Sequence, residues 1–226
     1  MIPLRDHNRS GIFPIVTVGL ILINVLVFLY ELTLMASGQI DAFLDQFAFI
    51  PAQLLSNPAG EWYTVITAMF LHGGWLHLLG NMLYLWIFGD NMEATLGKPL
   101  FILFYLAAGI VATFAQALVN PNSVVPNLGA SGAIAGVLGG YLVFFPNARV
   151  DTAVPMFYFI RIVPLSAIIV LGFWFLLEII RGVFSLGAIS EMSGGVAYFA
   201  HIGGFVAGLA MAFLYRSFSG QRIQTY

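Results

Sequence analysis

Ser131 stands in Gly129-Ala130-Ser131-Gly132, and His201 stands in Ala200-His201-Ile202-Gly203-Gly204, in two separate apolar stretches. A serine hydroxyl is a weak nucleophile until a base within hydrogen-bond reach takes its proton. An imidazole suits that task because its unperturbed pKa lies near neutrality. A third run, His77-Leu78-Leu79-Gly80-Asn81, sets an imidazole and a carboxamide four residues apart, on one face if the run is helical. Both donate hydrogen bonds, as a tetrahedral oxyanion requires. Serine-based acyl transfer is the chemistry these residue types could do. Each piece also has a plainer reading: Gly-x-Ser-Gly packs helices, and an intramembrane His or a His/Asn pair bonds to a neighbouring helix. Their conjunction at matching depth is what argues for a site.

The elements that must position them are membrane spans. Of 226 residues, 60% are hydrophobic and 8% charged, where a soluble domain carries roughly a quarter charged. The reading is an all-α polytopic membrane protein, one domain over 1–226, with six spans near 12–34, 75–91, 100–119, 131–145, 163–180 and 197–218. The first is longer than the roughly 7–15-residue apolar core of a secretory signal, so it reads as a retained helix. Arg5, Arg9, Lys98, Arg149, Arg161, Arg216 and Arg222 fall on one side, and Arg181 on the other. That bias predicts cytoplasmic termini and a site opening to the outer side. A net charge of −2 gives no sign of nucleic-acid binding. With zero cysteines, thiol catalysis and thiolate metal sites are excluded.

Under this topology the second, fourth and sixth spans carry His77 and Asn81, Ser131, and His201 near their outer ends. The fourth, about 15 residues, rises roughly 22 Å, short of the ~30 Å hydrocarbon core. It must start below the surface, and the backbone before it must line a wet cavity or be buried in protein. Small residues suggest close packing: Gly132, Gly136 and Gly140 form one stripe, and His201, Gly204 and Gly208 share a face. Residues 35–74 form a long first outer loop with aromatics but no Lys or Arg, expected to lie in the membrane interface. The acidic residues Glu31, Asp90, Glu93 and Glu178 fall near span ends, and Glu191 lies in an outer loop. The expectation is therefore a Ser–His dyad with no carboxylate.

With its motifs in order, the chain resembles the rhomboid family of intramembrane serine proteases, over about residues 12–218. The resemblance implies a six-helix bundle, with Ser131 as nucleophile and His201 as base. It also implies His77 and Asn81 at the oxyanion, His72 and Gly129 in support, and no metal or cofactor. Transmembrane proteins within the lipid bilayer are the implied substrates, and a chain of this size suggests a prokaryotic plasma membrane. Two departures stand out. Trp62 is followed by Tyr63 rather than the family's frequent Arg, and Ala135 occupies a position where some members place a Tyr against the catalytic imidazole. Two other readings compete: a catalytically silent binder of membrane proteins with the same fold, and a small transporter or proton channel using the histidines as a relay.

Overall fold

The computed structural model describes residues 1–8, 10–156, 158–187 and 197–219; Arg9, Glu191 and Arg222, used above, lie outside them. A short strand, β1 (Ile2–Asp6), leads into α1 (Ile15–Ser37). Four short helices follow: α2 (Ile40–Phe47), α3 (Pro51–Ser56), α4 (Pro58–Glu61) and α5 (Thr64–Thr67). Then come α6 (Trp75–Leu96), α7 (Lys98–Val119) and α8 (Ser131–Phe144). A hairpin of β2 (Arg149–Met156) and β3 (Phe159–Ser166) precedes α9 (Ala167–Gly187) and α10 (Tyr198–Ser219). Among the described residues, α1, α7, α9 and α10 are long and apolar enough to cross a bilayer, and α8 is a shorter apolar helix. The sixth long helix, α6, mixes apolar side chains with His77, Asn81, Asp90, Asn91 and Glu93.

Helix α8 is the hub. Every residue from Gly132 to Tyr141 is buried, as expected of a helix that is apolar all round. Its 14 residues rise about 21 Å, and it ends two residues before Pro146, since the residue before a proline is driven out of the helical region. Each glycine inside it lowers helix propensity by about 1 kcal/mol relative to alanine, a cost offset by close packing. A methyl group on Gly204 of α10 would strike the Gly132 carbonyl, and one on Gly208 would strike the Gly136 carbonyl. One on Gly139 would meet the carbonyl of Phe205. These two helices touch backbone to backbone. Gly140, by contrast, packs against Met92 of α6 and Phe104 of α7.

Buried polar groups tie the remaining helices to this centre. Glu93 of α6 caps α1 from outside, accepting from the N–H groups of Val16 (3.0 Å) and Thr17 (2.8 Å) and from the Thr17 hydroxyl (2.9 Å). The carboxylate thus meets the orphan donors and positive dipole end of α1, which Pro14 cannot cap. The loop helices are held without an arginine. The Tyr63 hydroxyl donates to the Gln46 carbonyl (2.9 Å) and the Thr67 hydroxyl to that of Phe47 (2.7 Å). Buried Phe49 exchanges backbone hydrogen bonds with Asn127, just ahead of α8, at 3.0 and 2.8 Å.

The sheet is an addition that hydropathy did not reveal. β2 pairs with both β1 and β3, all antiparallel. Asp6 at the end of β1 accepts from the Tyr141 hydroxyl and from Asn91 Nδ2, both at 2.8 Å, which docks the sheet on α8 and α6. The expected fifth span, 163–180, therefore needs re-framing: residues 163–166 complete β3, and the helix runs from Ala167 to Gly187. Apolar β-branched residues raise a hydropathy window whether they lie in a strand or a helix.

The backbone contact between α8 and α10 yields a direct test. Gly204→Val forces a branched side chain onto the Gly132 carbonyl, and overpacking of this kind costs about 1–3 kcal/mol. Thermal unfolding in detergent should show a lowered midpoint for Gly204→Val. Gly172→Ala, where an added Cβ meets nothing within 4 Å, should leave the midpoint unchanged or raise it. Equal midpoints for Gly204→Val and the parent would contradict the contact.

Candidate active site

Helix α8 opens at Ser131 without a side-chain cap, so its first N–H groups and the positive end of its dipole are free at that point. Helix α10 opens three residues before His201. Its first turn is capped from α7: Gln116 Oε1 accepts from the N–H groups of Phe199 (3.1 Å) and Ala200 (3.3 Å). That cap fixes where α10 begins, and the glycine contacts fix its distance from α8. The result is His201 Nε2 at 2.8 Å from Ser131 Oγ.

The far edge of the imidazole meets a carboxylate. His201 Nδ1 lies 2.6 Å from Glu178 Oε2 on α9, and the other oxygen, Oε1, is 3.6 Å from Arg181 Nη1. Trp174, one turn before Glu178, lies beside the imidazole with ring centroids 5.9 Å apart. An aromatic ring from another helix thus lies beside the imidazole, while Ala135 offers none. The sequence reading expected no carboxylate at the site and set Glu178 near a span end; both points are corrected. Glu178 sits eleven residues after Ala167 and nine before Gly187, well inside α9, with its side chain 5% exposed. The available signal was an acidic residue in an apolar helix, with Trp174 four positions earlier on the same face.

The opposite wall comes from α6 and the chain leading into it. Asn81 Nδ2 is 2.9 Å from His72 Nε2. An amide nitrogen can only donate, so His72 Nε2 is the acceptor in this contact. The His72 N–H in turn donates to both oxygens of Glu31 on α1, at 3.1 and 3.3 Å. His77 packs edge-to-face on His72 with centroids 5.0 Å apart, and its Nδ1 accepts from the Gly73 N–H at 3.4 Å. Gly129 has φ +124°, and a Cβ there would stand 2.6 Å from His77 Nε2. Glycine is needed for that conformation and for the imidazole to lie against the chain two residues ahead of Ser131.

All of these walls enclose one cavity of about 910 Å³, lined by His77, Asn81, Tyr84, Ser131, Trp174 and His201 among others. It falls within the size range of roughly 300–1,000 Å³ typical of ligand sites. Of the residues singled out in sequence, Ser131, His201, His77 and Asn81 meet in it. His72 lies behind Asn81, and Gly129 lies behind His77.

Comparison with known proteins shows the family. The Rhomboid domain family profile matches residues 59–218, more than half of the chain. The chain belongs to the rhomboid family. It is similar to YdcA of Bacillus subtilis, 41% identical over 90 residues, or 39% of this chain and 45% of that protein. Rhomboid protease GluP of the same organism is 34% identical over 158 residues, covering 68% of this chain and 26% of GluP. The human mitochondrial presenilin-associated rhomboid-like protein is 32% identical over 170 residues, 74% of this chain and 41% of the relative. The chain thus spans less than half the length of these relatives. As a rhomboid with four helices of bilayer-crossing length and apolarity among the described residues, it is an integral, multi-pass membrane protein.

In this rhomboid site the support of Asn81 depends on a neutral His72. Burial, with the charge of His77 adding to it, pushes His72 down to about 4 from the ordinary 6.5. Because the folded value is the lower one, its contribution to stability is complete above the ordinary value and is lost as pH falls toward 4. His72→Gln removes this titration. The variant's deficit in thermal midpoint should therefore be largest at about pH 7.5 and shrink by about pH 4.5. A deficit that does not change with pH would contradict a buried neutral His72.

Proposed function

We propose that this rhomboid protein is an intramembrane serine endopeptidase that cuts transmembrane protein substrates within or near their membrane segment. The observation that carries the reading is the 2.8 Å contact between Ser131 Oγ and His201 Nε2 at a helix N-terminus, inside a mainly apolar cavity that His77 and Asn81 also line. Rhomboid proteases named among the relatives, GluP and YdcA, support the same reading.

The chemistry follows from the atoms. Ser131 Oγ attacks the scissile carbonyl carbon while its proton passes to His201 Nε2, and the carbonyl π pair moves onto oxygen. The resulting oxyanion sits at the N-terminus of α8, beside the Ser131 N–H and the second amide hydrogen of Asn81. His77 adds a further donor once its Nε2 carries the proton, the tautomer favoured by Gly73 donating to Nδ1. Loss of one such donor costs ~2.7–4 kcal/mol in other enzymes. As the tetrahedral species collapses, the C–N bond breaks and His201 returns its proton to the leaving nitrogen. Water then enters the cavity, gives a proton to His201 and attacks the acyl-serine; Ser131 leaves with that proton restored.

Orientation is part of the proposal. Arg5, Arg149 and Arg161 belong to the sheet, Lys98 opens α7, and Arg216 of α10 donates to the Val143 carbonyl near the end of α8 (3.2 Å). These cations share the end of the bundle opposite Ser131, which favours a cytoplasmic sheet and a site toward the outer face of a prokaryotic plasma membrane.

A fluorophosphonate probe should label the purified protein at Ser131. Ser131→Ala should abolish labelling and lower cleavage of a transmembrane substrate by at least about 10³-fold, as removal of a serine nucleophile does elsewhere. Substrate binding without turnover in the parent protein would instead favour a silent binding module, and cleavage persisting in Ser131→Ala would remove the nucleophile.

A further inference from the structure

We propose that Glu178 is a positioning residue for His201, so that the site works as a Ser–His–carboxylate triad spread over α8, α10 and α9. This rests on the reading of Ser131 and His201 as nucleophile and base. Three observations carry it. The carboxylate reaches the imidazole on the edge opposite Ser131: Nδ1 to Oε2 is 2.6 Å and Nε2 to Oγ is 2.8 Å. Its two oxygens are divided, Oε2 toward His201 and Oε1 toward Arg181 at 3.6 Å. Trp174, four positions earlier on α9, flanks the same ring, so one face of α9 both bonds and braces the imidazole.

The consequence is tautomeric. An ionised carboxylate only accepts, which puts the ring proton on Nδ1 and leaves the Nε2 lone pair free for the serine proton. Without it, an imidazole in a low-dielectric pocket has no reason to prefer that tautomer, and the form with Nε2–H cannot act as the base. The same carboxylate faces the imidazolium formed during attack and stabilises it where water cannot. Glu178 itself neither gains nor loses a proton. A buried carboxylate is costly unless paired; here it has two cationic or donor partners, and Arg181, 56% exposed at its side chain, brings the countercharge without occupying Oε2. The other titratable groups around the pair are His77 and Tyr84 on α6, and neither is within hydrogen-bond reach of Nδ1 among the described residues.

A merely structural ion pair would affect how much protein folds. A positioning role affects turnover in protein that is folded. The test compares parent, Glu178→Gln, Glu178→Asp, Ser131→Ala and His201→Ala in liposomes with one transmembrane peptide substrate, scoring only protein with the parent's thermal midpoint and helical content. Glu178→Gln should lower kcat by about 10²- to 10⁴-fold, the scale seen when a carboxylate behind a catalytic histidine is neutralised, with KM within about twofold of the parent. Glu178→Asp should recover at least about tenfold of that loss. If the Gln variant does not fold, Glu178→Asp decides: a lowered kcat at unchanged KM supports the role, and a parental kcat overturns it. Parental kcat in folded Glu178→Gln, with Ser131→Ala and His201→Ala silent, overturns the role of Glu178 alone. Cleavage by Ser131→Ala overturns the underlying reading, and the triad with it.

Discussion

Backbone contact between α8 and α10 is the constraint on which the rest depends. A hydroxyl on one helix and an imidazole on another meet at 2.8 Å only if the two axes approach closely, and side chains larger than hydrogen at Gly139, Gly204 or Gly208 would hold them apart, while one at Gly132 or Gly136 would strike α7. In a membrane this closeness has a second benefit. Lipid offers no hydrophobic drive for helices to associate, so dispersion between tightly fitted surfaces does that work. The same glycines that weaken α8 as an isolated helix therefore set its place in the bundle.

Around that contact, four polar links join separate parts of the chain near Ser131 and His201. Glu31 of α1 holds the His72 backbone, His72 holds Asn81, Gln116 of α7 caps the start of α10, and Glu178 of α9 holds His201. Away from water an unpaired polar atom is expensive, so each bond both satisfies a buried group and fixes an angle. The helices could not shift individually without breaking one of these links. Short α8 is the exception, since its 14 residues begin at Ser131 itself and Asn127, in the segment just ahead of it, lines the cavity.

Much of this was legible in the amino-acid order, because its signals are local. Apolar length marked the helical bundle, glycine spacing marked the α8 and α10 faces, and Ser131, His77, Asn81 and His201 stood out as polar residues in apolar surroundings. What escaped notice depends on registration across the chain. The hairpin at Arg149–Ser166 reads as more hydrophobic sequence, so the fifth span was framed four residues early and cut seven residues short. That shift pushed Glu178 to an apparent helix end. Its bond to His201 joins positions 23 apart across an antiparallel helix pair, a relation no periodicity within one helix contains. Trp174 was missed for the same reason, since only the empty space at Ala135 calls for it.

The central claim is that Ser131, His201 and the Asn81 wall form one reactive cavity in the membrane. An experimental structure of the protein in lipid, after reaction with a peptidyl phosphonate, tests it most directly. The account predicts a covalent bond from Ser131 Oγ to phosphorus, a phosphonyl oxygen directed at the Ser131 N–H and Asn81 Nδ2, and His201 still between Ser131 and Glu178. A phosphonate attached elsewhere, or one on Ser131 with its oxygen turned into lipid and His201 swung away, would contradict it.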